Sequence, residues 1–475
     1  MNSESEIKLR RRSFLAWCSS VGFGSTLFPN LLWAQSKNGL KSITNEMIDS
    51  AARLAGLSFS QIDREEMVLG INANLASYKA LRKIRIDQNT PPPIYFNPAV
   101  PGQKFSKKRK PFIQSKRMSV SRPSNLEEIA FWPITDLSQL IESRQVSSEE
   151  LTQMYLKRIK QHDSKLNSVI TLTEKLAIKQ ARKMDREIKA GNYRSSLHGI
   201  PWGAKDVIAK SGYRTTWGAK AYRNQVIDYD ATLVSRLEEA GAVLIAKLST
   251  GEIARGDRWF DKQTRNPWKI NEGSGGSSAG PGSATAAGLV GFSIGSDTTG
   301  SILGPSRTCG ISGLRPTFGR ISRHGVMPVC WSLDKVGPMC RSVEDCAIVF
   351  QSIHGPDNQD LSLVDMPFNW NGNKNLKKLR IGYLEEAFNK NTHPNDMETL
   401  ECLRGMGAEL QSIRLPKYAG MDALQMLLVD EAAAFDELIQ TGKVDLFLQD
   451  RIEPEDMLMR IARLMPAVEY LQIQR

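Results

Sequence analysis

The sequence predicts an α/β protein in which helices alternate with short apolar strands. Helical patterns cover residues 147–159 and 174–189, and a third helix ends at Gly241, directly before the apolar strand of residues 242–246. This alternation is typical of a layered α/β domain. Of the 475 residues, 41% are hydrophobic and 24% are charged, which is the composition of a globular protein.

Residues 1–34 have the layout of an export signal. Arg11 and Arg12 precede Phe14 and Leu15, and a mildly apolar run then leads to the small residue Ala34,. The Arg-Arg-x-Phe-Leu core resembles a twin-arginine signal. We therefore expect export machinery as a partner and a periplasmic or otherwise exported protein. The alternative is a cytoplasmic protein with a basic N-terminus.

Residues 35–87 are predicted to form an accessory helical segment. One helix spans residues 44–54, and Ser60 is placed to cap a second, with Asp63 three residues later,. Residues 88–131 follow as a Pro-rich basic linker, because three consecutive prolines and the basic run 104–110 cannot bury a core,. Residues 132–475 are predicted to form the main domain.

The excess of positive charge is confined to the N-terminal quarter. Residues 1–125 contain 20 Lys and Arg against 8 Asp and Glu, which equals the net charge of +12 for the whole chain. Because the remainder is balanced, we expect no nucleic-acid partner for the main domain. Five cysteines remain outside the signal and five histidines are scattered, so neither a disulfide framework nor a metal site is predicted.

Within the main domain, individual helix signals can be read from capping residues. Ser147 and Glu150 have the spacing of a capping box,. Asp230 is predicted to open the helix that ends at Gly241,. Trp259, Phe260 and Trp331 are candidate pocket aromatics, although core packing is the preferred interpretation for all three.

The most unusual stretch is residues 273–301, which contain nine of the 36 glycines. Glycine at this density is kept in folded proteins for tight turns or close backbone approach. A flexible linker is the alternative, but the apolar middle of the stretch favours a packed helix and strand. We therefore predict a site built largely from backbone groups.

Three residues in and before this stretch carry candidate chemistry: Lys205, Ser277 and Ser301. A serine hydroxyl needs a neighbouring base to become a nucleophile. No histidine has a setting that marks it as that base, so a lysine is the remaining candidate. Lys205 follows a largely apolar run, which favours the desolvation that a neutral lysine requires.

Seven motifs in this region together resemble the amidase signature family. The match covers residues 132–346, with weaker similarity towards the C-terminus. The motifs are HGIPWGAKDV (198–207), ATLVSRLEEAGAVLIAKLS (231–249), TRNPW (264–268), GGSSAGPGSATAAGL (275–289), IGSDTTGSI (294–302), CGISGLRPTFGRISRHGVMP (309–328) and SLDKVGPMCRSVEDC (332–346).

The resemblance implies a Ser–cis-Ser–Lys triad that hydrolyses a small amide through an acyl-enzyme. Ser301 would be the nucleophile, Ser277 the bridging serine after a cis peptide bond, and Lys205 the base. The oxyanion hole would be formed by backbone N–H groups, those of Thr298, Thr299, Gly300 and Ser301, with Asp297 and Ser278 in supporting positions. The implied fold is a mixed central β-sheet covered by helices on both faces, with no cofactor and no metal.

Several positions depart from the family pattern. Thr299 replaces a glycine, Leu303 replaces a common arginine, and Ala279 and Pro281 alter a Gly-Gly-Ser segment. Family members usually continue beyond a stretch like residues 466–475, so we expect a C-terminal truncation. The alternatives are a tRNA-dependent amidotransferase subunit, which residues 43–101 and the basic linker would suit, and a truncated inactive relic. A homodimer is left open.

Overall fold

The computed structural model describes residues 42–81, 83–84, 102, 104–388, 392–416, 424–448 and 455–475. The predicted export signal and the three consecutive prolines lie outside the described residues. Within them, no helix is both long and apolar enough to cross a membrane.

A six-stranded mixed sheet forms the centre of the protein, with the strand order β1-β3-β2-β8-β10-β9. Strands β3, β2 and β8 are parallel neighbours, whereas β1, β10 and β9 pair antiparallel. The strands are β1 (Val169–Leu172), β2 (Pro201–Lys205), β3 (Val243–Leu248), β4 (Arg258–Trp259), β5 (Lys262–Gln263), β6 (Arg265–Asn266), β7 (Lys269–Gly273), β8 (Phe292–Asp297), β9 (Ser312–Gly313), β10 (Lys335–Cys340), β11 (Arg380–Leu384) and β12 (Glu409–Ile413).

Helices cover both faces of this sheet, as the family resemblance implies. The α-helices are α1 (Asn45–Leu54), α2 (Gln61–Leu81), α3 (Ile134–Glu142), α4 (Ser148–Leu166), α5 (Glu174–Lys189), α6 (Thr232–Glu239), α7 (Ala279–Ala286), α8 (Leu303–Cys309), α9 (Val343–Ile353), α10 (Pro394–Gly405), α11 (Gln425–Ala434), α12 (Asp436–Gln440), α13 (Glu455–Ala462) and α14 (Ala467–Gln474). Short 3₁₀ helices span Leu126–Phe131, Lys220–Tyr222, Glu252–Ala254, Leu376–Lys378, Glu385–Ala387 and Lys443–Leu446.

Capping residues explain where the helices of the main domain begin. Ser147 and Glu150 form the predicted capping box at the start of α4. The prediction that Asp230 opens α6 is wrong, because the cap position belongs to Ala231. The Asp230 carboxylate instead accepts hydrogen bonds from Lys210 Nζ at 2.6 Å and from the Ser211 N–H at 2.8 Å.

The predicted accessory helices α1 and α2 form and share a small core of their own. Thr44 caps α1, and the Ser60 hydroxyl accepts from the Asp63 N–H at 3.1 Å at the start of α2. Their apolar faces contact helix α13, where Gly70 allows close approach of Ile461. The segment therefore packs on the C-terminal helices of the main domain.

The end of the basic run 104–110 and the residues after it lie against the protein surface. The Lys110 N–H donates to Asn369 Oδ1 at 2.8 Å, and Ile113 forms a parallel bridge with Asn371. Residues 108–116 therefore lie along residues 369–373 as an extended strap. Most of its side chains are exposed, as expected for a charged segment that buries little apolar surface.

The sheet topology places the candidate residues at one edge. Strands β2 and β8 are parallel neighbours, with Ala204 paired to Ile294. Lys205 is the last residue of β2, and Asp297 is the last of β8. In open α/β sheets, ligand sites form outside the carboxyl ends of such strands.

Candidate active site

Lys205 lies fully buried at the end of β2 with two serine hydroxyls around its ammonium group. Its Nζ donates to Ser277 Oγ at 2.7 Å and to Ser296 Oγ at 2.9 Å. Burial lowers the pKa of Lys205 to about 7, while the carboxylates of Asp297 and Asp334 act in the opposite direction. A lysine with this pKa is partly neutral near neutral pH and can accept a proton.

Ser277 follows a cis peptide bond from Gly276, as the family resemblance implies. The backbone is crowded here, since a Cβ atom at position 276 would lie 1.8 Å from the carbonyl oxygen of Gly256. The Ser277 carbonyl accepts a hydrogen bond from the Gly251 N–H at 3.1 Å. Glycine at position 276 is therefore required by a close backbone approach.

Ser278 fastens the start of the glycine-rich stretch to strand β8. Its hydroxyl donates to the Ser296 carbonyl at 3.0 Å and accepts from the Ser296 N–H at 3.2 Å. Gly295 makes room for this contact, because a Cβ atom there would lie 2.6 Å from Ser278 Oγ. The side chain of Ser278 thus fixes the position of its neighbour Ser277.

Ser301 is brought to the same place by the other end of the stretch. The Ser278 N–H donates to the Ser301 carbonyl at 3.1 Å, so residues 23 positions apart in sequence are hydrogen-bonded. Ser301 is half-buried, and its hydroxyl makes no hydrogen bond to any residue that the structure describes. A partly accessible, unengaged hydroxyl is available to a substrate.

Asp297 organises the turn that leads into Ser301. Its carboxylate accepts from the N–H groups of Gly300 and Ile302, both at 2.7 Å, and lies 3.5 Å from an Arg315 nitrogen. The predicted oxyanion donor of Gly300 is therefore engaged by Asp297 in this conformation. In the described part of the chain, the N–H groups of Thr298, Thr299 and Ser301 have no hydrogen-bond partner.

A second fully buried lysine lies beside the first. Lys247 on β3 donates to Asp206 Oδ1 at 2.7 Å, to Thr215 Oγ1 at 2.9 Å and to the Arg214 carbonyl at 3.0 Å. Burial lowers the pKa of Lys247, and contact with the Asp206 carboxylate opposes this effect. This ion pair holds Asp206, the residue directly after Lys205, against strand β3.

A cavity of about 450 Å³ adjoins the site. Ser296, Thr298 and Trp331 are among the residues that line it. Trp331 is 48% exposed, so the preference for core packing is wrong for this residue. Trp259 is buried and donates from Nε1 to the Asn167 carbonyl at 3.2 Å, which fits the core interpretation. Phe260 is half-buried, and the Arg223 guanidinium lies over its ring.

The family profile described as Amidase matches residues 150–468, more than half of the chain. The chain belongs to the amidase family.

Several solved and curated proteins resemble this amidase-family chain. The native peptide amidase from Stenotrophomonas maltophilia is 32% identical, with 70% of this chain and 76% of that chain covered and a TM-score of 0.62. An amidase family protein from Bacillus anthracis is 29% identical, with coverage of 73% and 76% and a TM-score of 0.66. A glutamyl-tRNA(Gln) amidotransferase subunit from Thermoanaerobacter pseudethanolicus is 38% identical over 293 residues. The chain spans about 60% of the length of that curated relative.

Sequence reasoning missed Ser296, the second hydroxyl that contacts Lys205. It lies within the recognised motif of residues 294–302, but only the pairing of β2 with β8 brings it to the ammonium group. The Lys247–Asp206 pair was missed for the same reason, since it joins strand β3 to the residue directly after the neighbouring strand β2. No group of histidine, cysteine and carboxylate side chains suited to a metal ion is found among the described residues.

Proposed function

We propose that this amidase-family chain hydrolyses the carbon–nitrogen bond of a small linear amide and releases ammonia or an amine. The observation that carries the proposal is the 2.7 Å hydrogen bond between Lys205 Nζ and Ser277 Oγ in a fully buried setting. A lysine with a pKa lowered to about 7 and a serine as its hydrogen-bond partner form a proton relay,. The proposed nucleophile is Ser301, whose backbone carbonyl accepts a hydrogen bond from the N–H of Ser278, the residue directly after Ser277.

The reaction proceeds in two steps with balanced proton transfers. Neutral Lys205 takes the proton of Ser277 as Ser277 takes the proton of Ser301, whose oxygen attacks the amide carbonyl carbon. The same relay returns a proton to the departing nitrogen, because an amine cannot leave as its anion. Water then attacks the carbonyl carbon of the Ser301 ester and gives a proton to the relay. The relay returns that proton to the departing Ser301 oxygen as the acid is released, which restores the free enzyme.

The oxyanion hole is assigned to N–H groups of the turn before Ser301. Within the described residues, Thr298, Thr299 and Ser301 keep free N–H groups, whereas the Gly300 N–H reaches the substrate only if it leaves Asp297. A donor aimed at the developing negative charge typically contributes about 2.7–4 kcal/mol to transition-state stabilisation. Backbone donors explain why this turn tolerates Thr299 in place of glycine.

An amide panel tests the proposal directly. Release of ammonia from aliphatic and peptide amides is measured for the wild type, Ser301→Ala and Lys205→Ala. Lys157→Ala is the matched control, since its exposed ammonium pairs with Glu127 away from the site. We expect turnover by the wild type and the control only. Equal turnover by all four proteins would contradict the mechanism.

A second candidate function is that of an amidotransferase subunit. It is favoured by the similarity to curated glutamyl-tRNA(Gln) amidotransferase subunits. Such a function predicts slow hydrolysis of glutamine by the chain alone and faster hydrolysis in the presence of glutamyl-tRNA(Gln). A hydrolase that is indifferent to added tRNA would exclude it.

We further propose that the protein is exported, on the strength of Arg11 and Arg12 in their sequence context,. Cell fractionation with an antibody to the main domain should find a shortened chain in the periplasm. Substitution of both arginines by lysine should retain the full-length chain in the cytoplasm. A full-length cytoplasmic chain in the unaltered protein would contradict export.

A further inference from the structure

The cavity beside the active site has a polar and partly charged wall. Its volume of about 450 Å³ suits a small-molecule ligand,. It begins at Ser296, which contacts Lys205, and at Thr298, which lies three residues before Ser301. Arg323, Trp331, Asp334, Lys335 and Asp360 also line it.

Lys335 provides a positive charge in this wall that no carboxylate of the described residues neutralises by direct contact. It lies opposite Asp297 in the β8–β10 register, and its Nζ donates to the Thr298 carbonyl at 3.2 Å. Among the described residues, this is the single hydrogen bond of the Lys335 ammonium group. An ammonium group has three donors, so two remain for a ligand.

The nearby carboxylates are already occupied. Asp334 accepts from Thr298 Oγ1 at 2.7 Å and from the N–H groups of Val329 and Cys330 at 2.7 and 2.9 Å. Asp297 accepts from the turn before Ser301, as described above. Both act to keep Lys335 protonated through space, but neither forms an ion pair with it.

Arg315 adds a second cation near Lys335. Its side chain is 40% exposed, and one guanidinium nitrogen lies 3.5 Å from an Asp297 carboxylate oxygen. Burial lowers the pKa of Lys335, and the charge of Arg315 lowers it further. Two cations therefore flank the one carboxylate that holds the nucleophile's turn.

Arg323, which also lines the cavity, differs from these two residues. Its guanidinium bonds Asp360 Oδ2 at 3.1 Å, Ser362 Oγ at 3.0 Å and the Trp331 carbonyl at 2.6 Å. These hydrogen bonds engage the Arg323 guanidinium within the protein and give it a structural role. Lys335 is therefore the cavity-lining cation with donors to spare in the described residues.

We propose that the amide substrate carries a carboxylate, which Lys335 binds in this cavity while the amide carbonyl lies at Ser301. This inference rests on the proposed function and names its substrate class. A half-buried ammonium gains a charge-assisted hydrogen bond from such a ligand. The positive charge of Arg315, which is close enough to act on Lys335, adds to the attraction for an anion.

Paired substrates test this specificity. Succinamate and glutaramate carry a carboxylate, whereas butyramide and valeramide are their neutral counterparts. The wild type should show a kcat/KM about 10-fold to 100-fold higher for the charged member of a pair. Lys335→Gln should remove most of that ratio, Arg315→Gln should reduce it, and Lys157→Gln should leave it intact.

A readout without turnover separates this inference from the proposed function. Succinate and glutarate should slow the labelling of Ser301 by a fluorophosphonate in the wild type, butyrate should not, and Lys335→Gln should abolish the protection. Equal kcat/KM values for charged and neutral amides in the wild type would overturn the inference and leave amide hydrolysis standing. An equal loss of kcat/KM on both kinds of amide in Lys335→Gln would do the same. A protein that neither turns over an amide nor labels at Ser301 would overturn both.

Discussion

Lys205 and Lys247 are both fully buried and lie on the neighbouring parallel strands β2 and β3, yet their surroundings differ. Lys205 contacts the hydroxyls of Ser277 and Ser296, whereas Lys247 contacts the Asp206 carboxylate. Burial disfavours the charged form of each. Among the described residues, Lys247 has a carboxylate in contact to oppose this and Lys205 has none. The chemistry of the partner therefore separates the proposed proton relay from a structural ion pair.

The largest expected effect is on the activity of a Lys205→Met variant. Removing a general base typically costs about 10²–10⁴-fold in rate, and we expect kcat/KM to fall by this range. The stability should be retained, because the variant also removes a buried amine whose described contacts are two hydroxyls and a carbonyl rather than carboxylates. Activity assays combined with denaturant unfolding check both parts. A large loss of stability would assign Lys205 a structural role.

The Lys247→Met variant should show the opposite pattern. It leaves the buried Asp206 carboxylate without its ammonium partner, which typically costs about 3–5 kcal/mol of the free energy of unfolding. Urea unfolding followed by circular dichroism measures this loss. If the variant were as stable as the wild type, the ion pair would contribute nothing to the fold.

The pH dependence sharpens the same comparison. With a pKa of about 7 for Lys205, kcat/KM should rise as the pH increases through that value, because the relay needs the neutral amine. The unfolded lysine has a pKa of about 10.4, so the unfolded state holds more protons between these two values. The stability of the wild type relative to Lys205→Met should therefore increase with pH across this window. A flat difference would contradict the lowered pKa.

The smallest expected effect belongs to Ser296→Ala. This change removes one of the two hydroxyls that contact Lys205 Nζ. A hydrogen bond of this kind contributes about 0.5–1.5 kcal/mol, which corresponds to roughly a 2-fold to 13-fold loss in kcat/KM. Steady-state kinetics at several pH values measure it. A loss as large as that of Lys205→Met would make Ser296 part of the relay.

The sequence predicted the fold class and the start of α4, because each is carried by a local signal or a recognised motif. The three residues of the proposed relay also come from recognised motifs, and their roles stay a prediction. It placed the start of α6 wrongly, since Asp230 has a tertiary partner, Lys210, that competes with the cap. Ser296, Lys247 and Lys335 have no local signal for their contacts. They depend on which strands pair and in which register, and that is a property of the folded sheet.

The most direct measurement is peptide mapping after treatment with a fluorophosphonate, which reacts with activated serines. The proposed relay predicts a single labelled residue, Ser301, in the wild type and a labelling rate that rises with pH through about 7. It also predicts at least about 100-fold slower labelling in Lys205→Met. Label on a different serine, or equal labelling rates in the wild type and Lys205→Met, would contradict the account.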